Sequence, residues 1–264
     1  ILIAAGAGMG VDSGLPDFRG MGGLYNDYPP FAKLGKNYME MTRPSGLRRN
    51  VRLAWGFWGY QLNLYRETVP HRGFLILLKI GERKQGNYFV ETTNVDGHFQ
   101  KAGFDSHKIH ECHGSIHNLQ CIHPCRQAVW SAESLAVEIE PDSMLAQDPL
   151  PTCPHCRAIA RPHIFMFGDS QYVWEASQEA AQRHRAWLAK NRHQKIVVVE
   201  CGAGEVVPGL RRYCEEIATD YPHATLIRIN PKDTAVPEGE NLLSIPMGAL
   251  EALESIAHEL EIEV

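Results

Sequence analysis

Several short stretches of this chain carry residue types and spacings suited to chemistry. Gly6-Ala7-Gly8-Met9-Gly10 runs on through Ser13-Gly14-Leu15-Pro16-Asp17-Phe18-Arg19-Gly20, directly behind the apolar opening at residues 1–5. A glycine-rich turn after a strand brings bare backbone N–H groups up to a phosphate. Turns of the GxG type also arise for steric reasons alone, and the common GxGxxG spacing is absent here. The acidic, aromatic and basic side chains Asp17, Phe18 and Arg19 are not something helix packing requires, so we expect a nucleotide site. His113 sits in Cys112-His113-Gly114-Ser115. There the glycine would let a substrate approach, and an imidazole titrating near neutrality suits proton removal. The chain has 13 histidines, so residue type does not single this one out. Asn94 and Asp96 offer an amide and a carboxylate in the turn Thr93-Asn94-Val95-Asp96-Gly97, where an ordinary Asx turn would use the same residues.

Four of the seven cysteines form two tight knuckles, Cys121-Ile-His-Pro-Cys125 and Cys153-Pro-His-Cys156. Four thiolates so placed predict a closed, tetrahedral, structural zinc site with no position for a catalytic water, and His123 or His155 could replace a ligand. Cys112, Cys201 and Cys214 read as ordinary buried thiols.

The elements that must position these groups follow from the apolar pattern. Strands are expected at residues 1–5, 87–92, 195–199 and 225–229, and helices at about 51–68 and 74–82, with Pro70 ending the first. Residues 19–49 read as a loop with short helices, and the basic stretch 183–195 as a solvated helix face. Short apolar strands between helices predict an α/β fold with a parallel, doubly wound, Rossmann-like sheet, its ligand beyond the carboxyl ends of the strands. The cysteine region interrupts that rhythm and reads as a small zinc-binding insert. We divide the chain into a Rossmann-like part at about 1–30, 85–112 and 162–264, a zinc module at about 118–160 and a helical part at about 31–84.

At 264 residues the chain can bury a full core, and no apolar run approaches the roughly 20 residues that span a bilayer. A net charge of −5 argues against a dedicated nucleic-acid binder. The paired cysteines fit an intracellular metal site, so a soluble cytoplasmic protein acting on a small or protein substrate is expected. The opening reads as a buried strand rather than a signal peptide, and a further segment is expected to precede it.

The glycine loop resembles the GAGxSxxSGxPDFRG stretch of the sirtuin family, the NAD-dependent protein deacylases. Further stretches agree in order: Thr-Thr-Asn-Val-Asp-Gly at 92–97, Glu-Cys-His-Gly-Ser at 111–115, the paired cysteines, and Arg-Pro-His-Ile-Phe-Met-Phe-Gly at 161–168. The chain resembles a divergent, bacterial-type member. The resemblance implies that NAD is a co-substrate, that zinc is structural on Cys121, Cys125, Cys153 and Cys156, and that an acylated or ADP-ribosylated protein is the partner. It implies that His113 is the general base and that Asn94 and Asp96 hold the nicotinamide end. The cofactor contacts it implies are Gly6, Ala7, Gly8, Ser13, Asp17, Phe18, Arg19, Thr93, Gly202, Ala203, Gly204 and Asn230; for Asn230, spacing alone favours a cap or turn. His98, His110 and His117 read as structural or surface residues.

Three departures stand out. Thr93 replaces the family's glutamine. Gly202-Ala203-Gly204 lacks the Thr-Ser pair that contacts phosphate and ribose, leaving backbone amides to bind the anion. Gly209-Leu210-Arg211-Arg212 replaces the peptide clamp, and its arginines suggest an acidic partner or acyl group unless they only start a solvated helix. Deacylation is the expected activity, with mono-ADP-ribosyl transfer or NAD hydrolysis second and a non-catalytic NAD or ADP-ribose sensor third.

Overall fold

The computed structural model describes residues 1–16, 31 and 38–264. Its centre is a six-stranded sheet in the order β3-β2-β1-β7-β8-β9, built from β1 (Leu2–Ala5), β2 (Phe89–Thr92), β3 (Ile109–Glu111), β7 (Val197–Cys201), β8 (Thr225–Ile229) and β9 (Leu242–Ile245). Every pairing is parallel. A parallel sheet is covered on both faces and so needs near-continuous apolar strands, as the wholly buried β1 provides. Its side chains alternate. Ile3 and Ala5 join Phe74, Leu77, Phe99 and Leu253 on the face covered by α2 (Arg72–Arg83) and α5 (Ala249–Glu259). Leu2 and Ala4 join Leu188, Leu210 and Cys214 on the face covered by α3 (Glu175–Asn191) and α4 (Gly209–Asp220). The chain winds outward in both directions from the β1/β7 pair, which makes the carboxyl ends of those two strands the switch point where such sheets bind ligands.

The edge strands β3 and β9 were not anticipated. β3 holds a single apolar residue and β9 is partly exposed along its length, so neither is a run of buried apolar side chains.

A second, three-stranded sheet has the order β5-β4-β6, formed by β4 (Gly114–Cys121), β5 (Val129–Ser131) and β6 (Ala160–Ile164), all antiparallel. It begins immediately after His113 and runs beyond the 118–160 span assigned from sequence. The helical part does not behave as one unit. α1 (Val51–Glu67) packs on the small sheet: Trp55 Nε1 donates to Ala160 O at 3.0 Å, and a Cβ on Gly56 would overlap Met144 O. α2 instead packs on the large sheet beside α5, because its buried face carries Phe74, Ile76 and Leu77.

Candidate active site

The switch point is closed by backbone against backbone. Gly6 N–H donates to Cys201 O and Gly8 N–H to Gly202 O, both at 3.0 Å. A Cβ on Gly8 would sit 2.7 Å from Gly202 Cα, and one on Gly202 (φ +65°) would overlap Gly8 C and Met9 N. These glycines therefore let two loops touch. Their amides are also engaged: Gly202 N–H donates to Ile229 O at 3.0 Å, so an anion would have to use Ala203 and Gly204 rather than all three residues. Residues Ala7–Ser13 form a 3₁₀ turn closed by Gly14 at φ +87°. Ser13 Oγ accepts from His71 N at 2.9 Å and Asp12 from Leu250 N at 2.8 Å, fastening this turn to α2 and α5. Asp17, Phe18 and Arg19 lie outside the described residues.

Beside this turn, the ends of β2 and β3 bring Asn94, Asp96 and His113 together. Asn94 Nδ2 donates to Gly6 O at 2.9 Å, while Thr93 N–H donates to Ala5 O at 3.1 Å, tying the β2 turn to the glycine loop. Cys112 N–H donates to Thr92 O at 2.9 Å, which sets His113 beside that turn. Asp96 is buried and accepts from His98 N at 2.8 Å; burial pushes its carboxyl up to about 6. Glu111 is pushed up to about 8 by burial and by the nearby Asp96, against the hydrogen bond from Gln100 Nε2. Burial lowers the pKa of half-buried His113, opposed by its hydrogen bond to the Thr93 backbone, so its imidazole is neutral at pH 7. Gly114 follows at φ +78°, where a Cβ would overlap His163 O. His117 Nε2 meets Asp96 O at 2.8 Å, so His117 holds the Asp96 turn; His110 pairs with Glu91 at 2.7 Å, and His98 is fully buried.

On the other side of the switch point, Asn230 is buried. Its Nδ2 donates to Ala203 O at 3.0 Å, and its Oδ1 accepts from Lys232 and Asp233 N–H. It holds the loop after β7 and caps the turn that follows β8. Arg211 corrects an expectation. It is 6% exposed, and its guanidinium donates to Ala203 O, Asp233 O and Ala235 O, clamping two loops together rather than facing a substrate. Arg212 alone is exposed.

In the small module, Cys121 Sγ lies 3.6 Å from Cys156 Sγ and Cys125 Sγ 3.7 Å from Cys153 Sγ, with all four sulfurs within 4.8 Å of one another. Zinc–sulfur bonds of about 2.3 Å give tetrahedron edges of about 3.8 Å, so the four sulfurs fit that ion.

The Sir2 family model matches residues 6–198, from the glycine loop through the cysteine module into β7. The chain belongs to the Sir2 family. It is 30% identical over 236 residues to an NAD-dependent protein deacylase of Aquifex aeolicus, covering 89% of this chain and 85% of that one. A Pyrococcus abyssi protein of the same description is 28% identical, with 97% and 90% covered. Among solved structures, a mutant Sir2 homologue in complex with ADP ribose aligns with a TM-score of 0.72 at 22% identity, covering 100% of this chain and 94% of that one. A Sir2 homolog–NAD complex gives 0.72 at 20% identity, with 98% and 88% covered. The fold is therefore the Rossmann-like α/β sheet of that family with a four-cysteine module.

Within this Sir2 fold, several buried charges escaped sequence reasoning. Glu91 Oε2 accepts from His110 Nδ1 at 2.7 Å and His184 Nδ1 at 2.8 Å, one strand residue away from Thr92. Arg228 forms a bidentate pair with Glu200 at 2.6 and 2.8 Å in the β7/β8 interior, and Arg161 pairs with Asp169 behind the Phe167 loop. The available signal was a charged residue inside an otherwise apolar strand, as in Phe-Val-Glu-Thr and Thr-Leu-Ile-Arg-Ile.

Proposed function

We propose that this chain is an NAD-dependent protein deacylase that moves a lysine acyl group onto ADP-ribose and releases nicotinamide. The observation that carries the reading is the convergence of Asn94, Asp96 and His113 beside the glycine switch point, on the frame of a Sir2-family fold. NAD supplies an electrophilic ribose carbon once nicotinamide leaves. Gly6, Ala7, Gly8, Ala203 and Gly204 would hold the phosphate side of NAD, Asn94 would orient a ribose hydroxyl or a water, and Asp96 would hold the carboxamide. The acyl oxygen attacks that ribose carbon, and His113, held neutral, takes a proton from a ribose hydroxyl so that this hydroxyl can accept the acyl group. Asp96, titrating near 6, can accept or donate to a carboxamide.

Zinc on Cys121, Cys125, Cys153 and Cys156 is structural, since four thiolates leave no open coordination position. Cysteines arranged for a metal rather than for disulfides favour the cytoplasm, and no described helix is long and apolar enough to cross a membrane. Mass spectrometry of the products from NAD and an acyl-lysine peptide tests the reading. O-acyl-ADP-ribose with free nicotinamide supports it. ADP-ribosylated protein or free ADP-ribose would instead establish transfer or hydrolysis, and no nicotinamide release would leave a sensor.

A further inference from the structure

A second group of metal-binding side chains lies beneath α3, apart from the cysteine module. Glu91 and His110 are register partners on the adjacent parallel strands β2 and β3, so their side chains share the sheet face that α3 covers. His184 reaches them from α3, its ring stacked on Phe89 at a centroid distance of 4.7 Å. Glu91 Oε2 lies 2.7 Å from His110 Nδ1 and 2.8 Å from His184 Nδ1, and the three ligand atoms lie within 4.8 Å of one another. The Glu91, His110 and His184 side chains are 11%, 13% and 6% exposed, so a carboxylate is buried here beneath a helix. A buried carboxylate needs a paired charge, hydrogen bonds or a metal ion. Both imidazoles turn the same nitrogen, Nδ1, to one oxygen. On its other side His184 Nε2 meets the Tyr213 hydroxyl at 3.0 Å, the kind of outer partner that a metal-bound histidine usually has. The Cys112 thiol also hydrogen-bonds Glu91.

We infer that Glu91, His110 and His184 bind a zinc-type transition-metal ion, at a site separate from the four cysteines. Two imidazole nitrogens and one carboxylate oxygen suit zinc and its transition-metal neighbours, whereas magnesium and calcium take oxygen donors. Zinc bonds of about 2.0–2.1 Å to nitrogen and oxygen set tetrahedral edges of about 3.4 Å, so each hydrogen-bonded contact opens by roughly 0.6 Å as the ion takes the place of the Nδ1 protons. Each imidazole then carries its proton on Nε2, where the Tyr213 hydroxyl accepts from His184. Three protein ligands leave one position for water, and they hold the ion more weakly than four thiolates hold theirs. The ion ties α3 to β2 and β3, with His110 three residues ahead of His113.

Calorimetric titration with zinc tests this on the whole chain, purified with its cysteine module loaded. Added zinc should bind as a further equivalent. Glu91→Gln and His110→Gln should weaken that equivalent by about 100-fold or more, beyond what the loss of an outer partner costs, while the module keeps its own zinc. Anomalous diffraction from zinc-soaked crystals of the wild-type chain depends on no variant folding, and it should show a peak between Glu91 and His184. A wild-type chain that takes up no further equivalent, undiminished binding in either variant, or no peak at Glu91 overturns the inference.

Discussion

His113 lies in a turn whose neighbours are spent on architecture: its own carbonyl accepts from Phe165, and its ring meets the Thr93 backbone. Among the described residues its ring has no other hydrogen-bond partner, as the proposed role of base requires. His113→Ala should therefore lower acyl transfer by about 10²-fold or more, the scale of a lost general base, while NAD binding measured calorimetrically stays near wild type. Normal turnover would place the base elsewhere. Asp96 makes a separate prediction. Its carboxyl is raised from 3.8 to about 6, so the folded chain holds that proton more tightly than the unfolded one. Stability from this group is full below pH 4 and is lost as pH rises through 6. With a shift of roughly two units, the loss is at most about 3 kcal/mol. Asp96→Asn, which keeps an acceptor for His98 N–H, should remove that part of the slope in urea titrations between pH 4 and 7. An unchanged slope would show that Asp96 is ionised in the fold throughout.

Loops β1–Gly6 and β7–Gly202 are one element in energetic terms, since each supplies the acceptor or the space that the other needs. Gly202→Ala would put a methyl on Gly8 and Met9 and also force a left-handed backbone on alanine. The cost should be about 2–4 kcal/mol, read as a lower denaturant midpoint, with NAD affinity falling at the same time. Stability within a few tenths of wild type would mean that the loops can separate freely. The Arg211 clamp belongs to this same element. It bridges the loop after β7 and the loop after β8, which explains why a guanidinium is buried beside Ala203 instead of facing a peptide.

Two sheets share the active corner. β4 starts at the residue after His113 and pairs with β6 from Gly114 to Ile164, so the cysteine module is wired directly to the candidate base. α1 closes the module from the other side through Trp55 and the apolar cluster around Phe57 and Trp58. Loss of the metal should therefore reach the chemistry. Cys153→Ser, or chelation, should release zinc, raise hydrogen exchange across 114–164 and reduce turnover, while β1, β7 and β8 stay protected. Full zinc occupancy in the pure serine variant would defeat this.

The glycine loop and the cysteine knuckles are legible in residue order, because each places its chemistry within a few neighbours along the chain, whereas Asn94, Asp96 and His113 stand out from other turns and histidines only through the family resemblance. The apolar runs at 1–5 and 225–229 likewise announced buried parallel strands, since such strands need apolar side chains on both faces. What remained hidden concerned competition for partners. Whether the Gly202 amide is free depends on Ile229, whether Ser13 is free depends on His71, and whether Arg211 faces solvent depends on carbonyls at 203, 233 and 235. The division of the helical region had the same origin: α1 and α2 are both amphipathic, and only the packed core settles which sheet each one covers. A hydrogen-bonding group binds whichever partner the fold brings within about 3 Å, and distance along the chain does not encode that choice.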